Sequence, residues 1–512
     1  MIFLGDKLTK KQIHDKRWQI HAVMSIGLIL IVMAVSSLNV ALPTLVREIG
    51  ATATDLQWIV DSYALVFAGL LLFAGALGDR FSRRWAFVIG LAVVAVTSFM
   101  SSIAEDSQDL IIWRGLMGIG AALVMPATLS IINNVFSNPK ERTKAVALWA
   151  GFAGAGASIG PVVSGILLEN FWWGSIFLIN IPVAMLGVLG AMLLVPDSKD
   201  PESERLDFGG ALLSIVGLAV LLFGIIEGPI KGWTAVETLG SIIAGALILA
   251  AFVWYEIKSD HPMLPMQFFK SRSFAVGALS ITLVFFAMFG MFFTIVQFMQ
   301  FVLGYSALTA AVRTLPFTVA LIVISGVVPR FVEKYGIRRI IMTGMFMAAI
   351  GLGVFATLTP GSSYWVVFAG LVLSGAGIAL SMPPATDALI GSVPERKAGV
   401  GSAMNDATRE VGGALGIAVL GSLLTSEYRS GVADSTVALP PEAAEAVNQS
   451  IGGAQAVAAE LGEAGIELST VASSSFTDGV VLTMIVGAAF LLVSAIIASY
   501  LMPNKIIPIK DS

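Results

Sequence analysis

The sequence predicts an all-α polytopic membrane protein of fourteen transmembrane helices: two six-helix bundles related by a pseudo-two-fold axis along the membrane normal, with a two-helix insert between them. Three observations carry this. Of 512 residues, 56% are hydrophobic and only 12% charged, and the mean hydropathy is +0.87, well outside the range of soluble domains. The apolar residues gather into stretches of about 20, the length that crosses a hydrocarbon core of about 30 Å. One of these stretches occurs twice. Gly118-Ile-Gly-Ala-Ala-Leu-Val-Met125-Pro126-Ala127-Thr128, a Pro-Lys-Glu-Arg loop at 139–142 and a glycine-rich run to Gly165 return as Gly375-Ala-Gly-Ile-Ala-Leu-Ser-Met382-Pro-Pro-Ala385-Thr386, a loop at 394–397 and a run to Gly421. A repeat in the same direction, two spans long, is the mark of parallel bundles about an axis along the normal.

Taken in order, the spans fall near 21–43, 56–77, 86–104, 110–133, 143–168, 173–195, 207–227, 238–258, 273–299, 307–329, 338–358, 363–391, 399–425 and 477–502. The segment before the first is polar and basic, and the apolar run after it is too long and lacks a small-residue cleavage site, so it reads as a retained span. An even count puts both termini on one side. With that side cytoplasmic, only Arg47, Lys231 and Arg429 fall in outer loops and Arg114, Arg313 and Arg409 within spans; every other Lys and Arg of the 30 faces inward, as the positive-inside rule demands. The repeat pairs spans 4–5 with 12–13, which divides the chain into 1–206 (spans 1–6), 207–270 (spans 7–8) and 271–512 (spans 9–14). The stretch 426–476, acidic and rich in Ala and Gly, is expected as an extracellular loop with room for a surface helix, and a cysteine placed at position 450 would report its side.

Composition excludes much. There are no cysteines and three histidines, His14, His21 and His261, at or beyond span ends, so neither a metal site nor a cysteine nucleophile is expected, and no enzyme. A net charge of -4 leaves no basic face for nucleic acid. No phosphate-binding Gly-x-x-x-x-Gly-Lys-Ser/Thr occurs and the loops are short, so no ATP and no cofactor are expected and work must draw on an ion gradient.

Between spans 2 and 3 stands Gly75-Ala-Leu-Gly78-Asp79-Arg80-Phe-Ser82-Arg83-Arg84: a glycine for close helix approach, an aspartate that can accept from arginine, and arginines at the inner lipid surface, together suited to a conformational latch. Span 4 carries Arg114, and a cation inside a span needs a partner and marks a functional site. Span 5 has Gly156-x3-Gly160-Pro161-x2-Ser164-Gly165, a small-residue face with a proline that permits a kink. These three resemble the signature loop, the Arg-x-x-x-Gly motif and the antiporter motif of the major facilitator superfamily. With Asn39-Val-Ala-Leu-Pro43, Trp58-Ile-Val-Asp61-Ser-Tyr63 and Asn180-Ile-Pro182, the chain resembles the fourteen-span drug:proton antiporters of the quaternary-ammonium exporter type along nearly its whole length. Ser82 replaces the loop's usual second glycine, Ala34 stands where many relatives carry an acid, and Leu321 stands where exporters of dications carry an aspartate.

The acids within spans are few: Asp61, Glu227, Asp387, Asp406 and Glu410. Asp61 and Arg114 lie at matching depth, roughly 6 to 8 Å below the outer surface at ~1.5 Å per residue, and are expected to pair as an outer gate. Asp406 and Glu410 share a helix face four residues apart with Arg409 between them; mutual repulsion and burial against one cation suit a pair that holds one proton and exchanges it for a cation, and the resemblance implies acids at these positions. The alternative is an Arg409-centred ion pair that fixes span 13. Glu227 could simply cap its span, and Asp387 and Arg313 are further candidates. The reading is a proton-coupled efflux antiporter of the inner or plasma membrane, expected to work as a monomer, whose partners are protons, the lipid bilayer and an amphipathic, monocationic or zwitterionic drug-like substrate. Its rivals are a dedicated exporter of an endogenous metabolite or lipid and, less well supported, a membrane sensor or membrane enzyme.

Overall fold

The computed structural model describes residues 10–199, 206–394 and 398–504. Among these, fourteen helices are long and apolar enough to cross a bilayer: α1 (Lys10–Ile49), α2 (Ala53–Arg80), α3 (Arg83–Ser102), α4 (Ser107–Val135), α5 (Pro139–Asn170), α6 (Ser175–Leu194), α7 (Phe208–Lys231), α8 (Val236–Lys258), α9 (Arg272–Gln297), α10 (Ala307–Ser325), α11 (Ile337–Phe355), α12 (Tyr364–Ile390), α13 (Ala398–Thr436) and α14 (Gly465–Leu501). Many begin on a polar cap. Thr52 and Asp55 form a reciprocal capping box on α2, and Ser82, Asp106, Asp207, Ser306 and Ser363 accept from the first turns of α3, α4, α7, α10 and α12. Orphan N–H groups at a helix start cannot be left in hydrocarbon, so the caps mark where each helix leaves the bilayer core. We call the end where α1 begins and α14 finishes the terminal end, and the opposite one the far end.

The packing repeats with a shift of eight helices. α1 packs on α4, α5 and α6, α2 on α4, and α3 on α4 and α6; likewise α9 packs on α12, α13 and α14, α10 on α12, and α11 on α12 and α14. The glycines of the repeated motif explain why. A Cβ on Gly118 would stand 2.7 Å from the Tyr63 carbonyl of α2, and one on Gly375 would stand 2.5 Å from the Phe317 carbonyl of α10. Two residues on, a Cβ on Gly120 would stand 2.7 Å from the Gly90 carbonyl of α3, and one on Gly377 would stand 2.5 Å from the Gly344 carbonyl of α11. Any side chain at these four positions would push the backbones apart.

The bundles meet along two seams related by the same pseudo-symmetry, α2 on α13 and α5 on α10. α7 and α8 pack on each other, and α7 lies against both α2 and α13, closing the first seam from outside. The cross-bundle hydrogen bonds and close crossings lie toward the far end. Gly165 of α5 meets Leu308 of α10, Gln300 donates to the Val40 carbonyl at 2.9 Å, and Gln57 of α2 bonds across to α13. Toward the terminal end, Leu148 and Phe152 on α5 and Asp387 on α12 are exposed, and Gly151 and Gly154 border open space. The far end is closed in this state.

The stretch expected as a loop, 426–476, is a helical cap. α13 has 39 residues, about 58 Å at 1.5 Å per residue, and therefore projects beyond the bilayer core. Short helices Pro441–Gln449 and Ile451–Leu461 follow, and α14 already begins at Gly465. Hydropathy hid them because Ala, Glu and Gln favour helix without being apolar enough for a span. The cap reaches over the seam: Gly452 packs on Val46 of α1, and Gln455 donates to the Phe301 carbonyl at 2.7 Å. Position 450 is a poor probe of sidedness, since Ser450 is only 8% exposed and caps the next helix. Glu463 is exposed. A single Glu463→Cys in this cysteine-free chain should react with an impermeant maleimide in intact cells; reaction only after permeabilisation would reverse the orientation derived from the basic residues.

Candidate transport site

Arg114 is fully buried in α4. Its Nε donates to the Ile59 carbonyl at 3.2 Å, its Nη1 donates to the Ala34 carbonyl at 3.1 Å, and the guanidinium stacks on the Tyr63 ring with its carbon 4.5 Å from the centroid. Nη2 has no partner. The cation is thus held by two carbonyls and a π face, and the expected pair with Asp61 is not formed. Both Asp61 oxygens are buried without a hydrogen-bond partner. Equal depth was the right reading and azimuth the missing one: Ile59 and Tyr63 are four apart and share the face of α2 that looks at α4, whereas Asp61 lies between them in sequence and about 200° around the helix from either. Asp61 shares its face with Gln57 and Leu65, toward α7 and α13. Where relatives resembling this chain carry an acid, position 34 supplies only its carbonyl.

On α13, Asp406 and Arg409 form an ion pair at 3.7 Å, and Asn405 donates to Asp406 at 3.2 Å while accepting from Thr386 of α12 at 3.0 Å. Arg409 also sits 5.5 Å over the Phe285 ring of α9. Glu410 stays outside this set: its Oε2 is buried without a partner. Sequence reasoning used Tyr63 only as part of a likeness; its spacing of four from Ile59, on the face toward Arg114, was the available signal.

The loop after α2 is tied within its own bundle. Arg83 Nε donates to Asp79 at 2.6 Å, Arg84 Nη1 donates to the Val195 carbonyl at 3.4 Å, and the Arg83 amide donates to the Ser198 carbonyl at 3.0 Å. Ser82 caps α3 and donates to Asp197, so the serine in place of glycine joins the loop to the end of α6. Arg80 ends α2 beside Phe81, and a Cβ on Gly75 would meet Pro126 of α4 at an ordinary contact distance, 3.5 Å. On α5, Gly156 and Gly160 lie on α1, next to Ile29 and Met33, Pro161 follows within the helix, and Gly165 crosses to the other bundle. Arg313 is clamped between Tyr305 and Tyr364, 3.8 and 4.7 Å from their ring centroids. Glu227 is in a local pair with Lys231 at 3.9 Å, in keeping with a span-end role.

The two carbonyls and the ring need a planar fork, which lysine lacks. Arg114→Lys is expected to lower transport at least ten-fold with the protein still inserted; more than half of wild-type transport would show that charge alone suffices.

Comparison with known proteins agrees with this geometry. The family model described as Major Facilitator Superfamily matches residues 24–417. The chain is 34% identical to the multidrug efflux pump LfrA of Mycolicibacterium smegmatis, over 94% of this chain and 95% of that protein. It is 30% identical to the tetracenomycin C resistance and export protein of Streptomyces glaucescens, over 95% and 92%. Its fold matches the crystal structure of a bacterial homologue of the human lysosomal transporter Spinster with a TM-score of 0.66 at 17% identity, covering 94% of this chain and 97% of that one. With its duplicated six-helix bundles, inserted pair and buried charges at the seam, the chain belongs to the Major Facilitator Superfamily.

Proposed function

We propose that this protein is a proton-coupled antiporter that exports amphipathic, monocationic or zwitterionic drug-like compounds across the cytoplasmic membrane by alternating access. The observation that carries the reading is the placement of Glu410 and the Asp406–Arg409 pair on α13, which packs across the seam on α2, while α2 holds Arg114 against Tyr63 in the other bundle, beneath a closed far end. The multidrug and antibiotic exporters to which the chain is similar over more than nine-tenths of its length support it. In this reading the terminal end is cytoplasmic, the division is 1–206, 207–270 and 271–512, and no cofactor is needed beyond the proton gradient. A cationic ligand entering from the cytoplasm is drawn to Glu410, the one acid of the cluster without a partner. Its arrival displaces the proton there, and the proton's return from outside resets the site. Arg409 fixes Asp406, so Glu410 carries the exchange and Asp406 tunes it. The Asp79–Arg83 loop governs switching between states. One chain holds both halves of the site, so a monomer is the working unit.

In proteoliposomes, Glu410→Gln should abolish export driven uphill by a pH gradient while leaving downhill ligand exchange within a few-fold of wild type, and Asp406→Asn should be milder. Normal uphill transport in the double variant would overturn the assignment.

A further inference from the structure

Asp61 is the buried acid that this exchange leaves unused. Its side chain is 0% exposed and neither oxygen has a hydrogen-bond partner. A buried carboxyl group without a hydrogen-bond partner is stable in such a place only with its proton on. One helical turn toward the far end, Gln57 bridges α2 to α13: its Nε2 donates to Thr425 Oγ1 at 3.5 Å, and its Oε1 lies 3.3 Å from Ser422 Oγ, which shares its proton with the Ile225 carbonyl of α7 at 2.9 Å. Gly421 is required beside this clasp, because a Cβ there would stand 2.8 Å from the Gln57 amide nitrogen. Beyond the clasp opens a cavity of about 420 Å³, bordered by Thr425, Thr52, Thr54, Arg429, Glu445 and Ile230. On the other side of Asp61, Ala64 and Leu65 pack with Ala414 and Ala418 of α13 and with Leu222 and Ile226 of α7. Only one layer of polar side chains thus separates an unpartnered acid from the far-end cavity, and an apolar layer separates it from the rest of the seam.

The charged groups on neighbouring elements are all placed elsewhere. Arg114 of α4 is on the opposite face of α2. On α13, Glu410 lies one turn past Ala414 and Arg429 one turn past Thr425. Glu227 of α7 is paired with Lys231.

We propose that Asp61 is a second proton site, loaded from the far end when the bundles part there and the Gln57–Ser422–Thr425 clasp opens. The proposal rests on the exchange reading above and deepens it. Loading transfers a proton from hydronium in the far-end cavity to a carboxylate oxygen of Asp61; an O–H bond forms and water is left behind. Closure of the clasp then seals the neutral acid. The location gives the inserted helix α7 a task, since Leu222 and Ile226 are 0% and 1% exposed against the acid's seam while Leu212 and Phe223, at 64% and 37%, are on the outer side of the helix.

The absence of native cysteine makes the test direct. A single Asp61→Cys should react slowly with an impermeant thiosulfonate applied from the far end in oriented vesicles. Adding Ser422→Ala and Thr425→Ala should raise that rate at least five-fold, whereas Thr425→Ser, which keeps the hydroxyl, should leave it unchanged. With Asp61 intact, the same alanine pair should lower the protons moved per ligand at least two-fold in dye-loaded proteoliposomes, with ligand exchange in the absence of a gradient within two-fold of wild type. An unchanged labelling rate in the alanine pair, or an unchanged proton-to-ligand ratio, would overturn the proposal. A wild-type protein that moves ligand without any proton would instead overturn the exchange reading, a result visible before any variant is made.

Discussion

The close approach of helix backbones at Gly118 and Gly120, and again at Gly375 and Gly377, is the constraint on which the rest of the structure depends. Within a membrane no hydrophobic effect drives helix against helix, and van der Waals packing between small residues does the work. At these four positions a carbonyl of the neighbouring helix occupies the space of the missing side chain. The crossing of α2 and α4 at Gly118 brings Tyr63 and Ile59 beside the turn that precedes the glycine, and Arg114 occupies that turn. The guanidinium reaches the Ile59 carbonyl and the Tyr63 ring because the helices cross there as closely as they do. Scaffold and site are thus one feature: widening the crossing by a single methyl group would withdraw two of the three groups that hold the cation.

A guanidinium with no carboxylate partner is costly in hydrocarbon, on the order of 3 kcal/mol at the centre of a helix, and this chain reduces the cost with carbonyls and a π face. The arrangement leaves one donor, Nη2, unused. On the opposite bundle the situation is inverted, with Glu410 an acid that lacks a donor although Arg409 is its sequence neighbour. Two polar groups short of a partner, one on each bundle, are poorly satisfied in the state with the far end closed. Unsatisfied groups of this kind are what a ligand or a proton can complete, and they cluster where the two bundles move against each other.

The spans, the duplicated bundles and the inserted pair were legible in the sequence because apolar length and repeated glycines are local properties that survive into the fold unchanged. The Asp406–Arg409 ion pair was legible only as the rival to an Asp406–Glu410 pair, since one helix sets all three separations and spacing alone does not choose between them. The pairing of Asp61 with Arg114 was misread because it depends on the rotation of one helix against another: depth follows from counting residues, azimuth only from knowing which face of α2 meets α4. The cap was foreseen only as a loop with room for a surface helix, because Ala, Glu and Gln carry helix propensity without hydropathy. The clasp at Gln57 was invisible, since Ser422 and Thr425 are more than 360 residues away in sequence and nothing in their spacing announces a partner.

The repeat also shows how function was laid upon the scaffold. The glycines recur in register, Gly118 with Gly375 and Gly160 with Gly416, but the charges do not. The position equivalent to Arg114 in the second bundle is Leu371, and the positions equivalent to Asp406, Arg409 and Glu410 in the first are Ala150, Ala153 and Gly154. Two bundles of the same shape can rock about a two-fold axis because their contacts are equivalent at both seams, and that equivalence belongs to the small residues. A cycle that moves a ligand one way and a proton the other needs the two faces of the central site to differ, and the difference is supplied by a cation on one bundle and acids on the other. In the exchange proposed above, these charges sit on opposite sides of the moving seam, so that each change of state would alter the distance between them, and with it the balance between holding a proton and holding a cationic ligand.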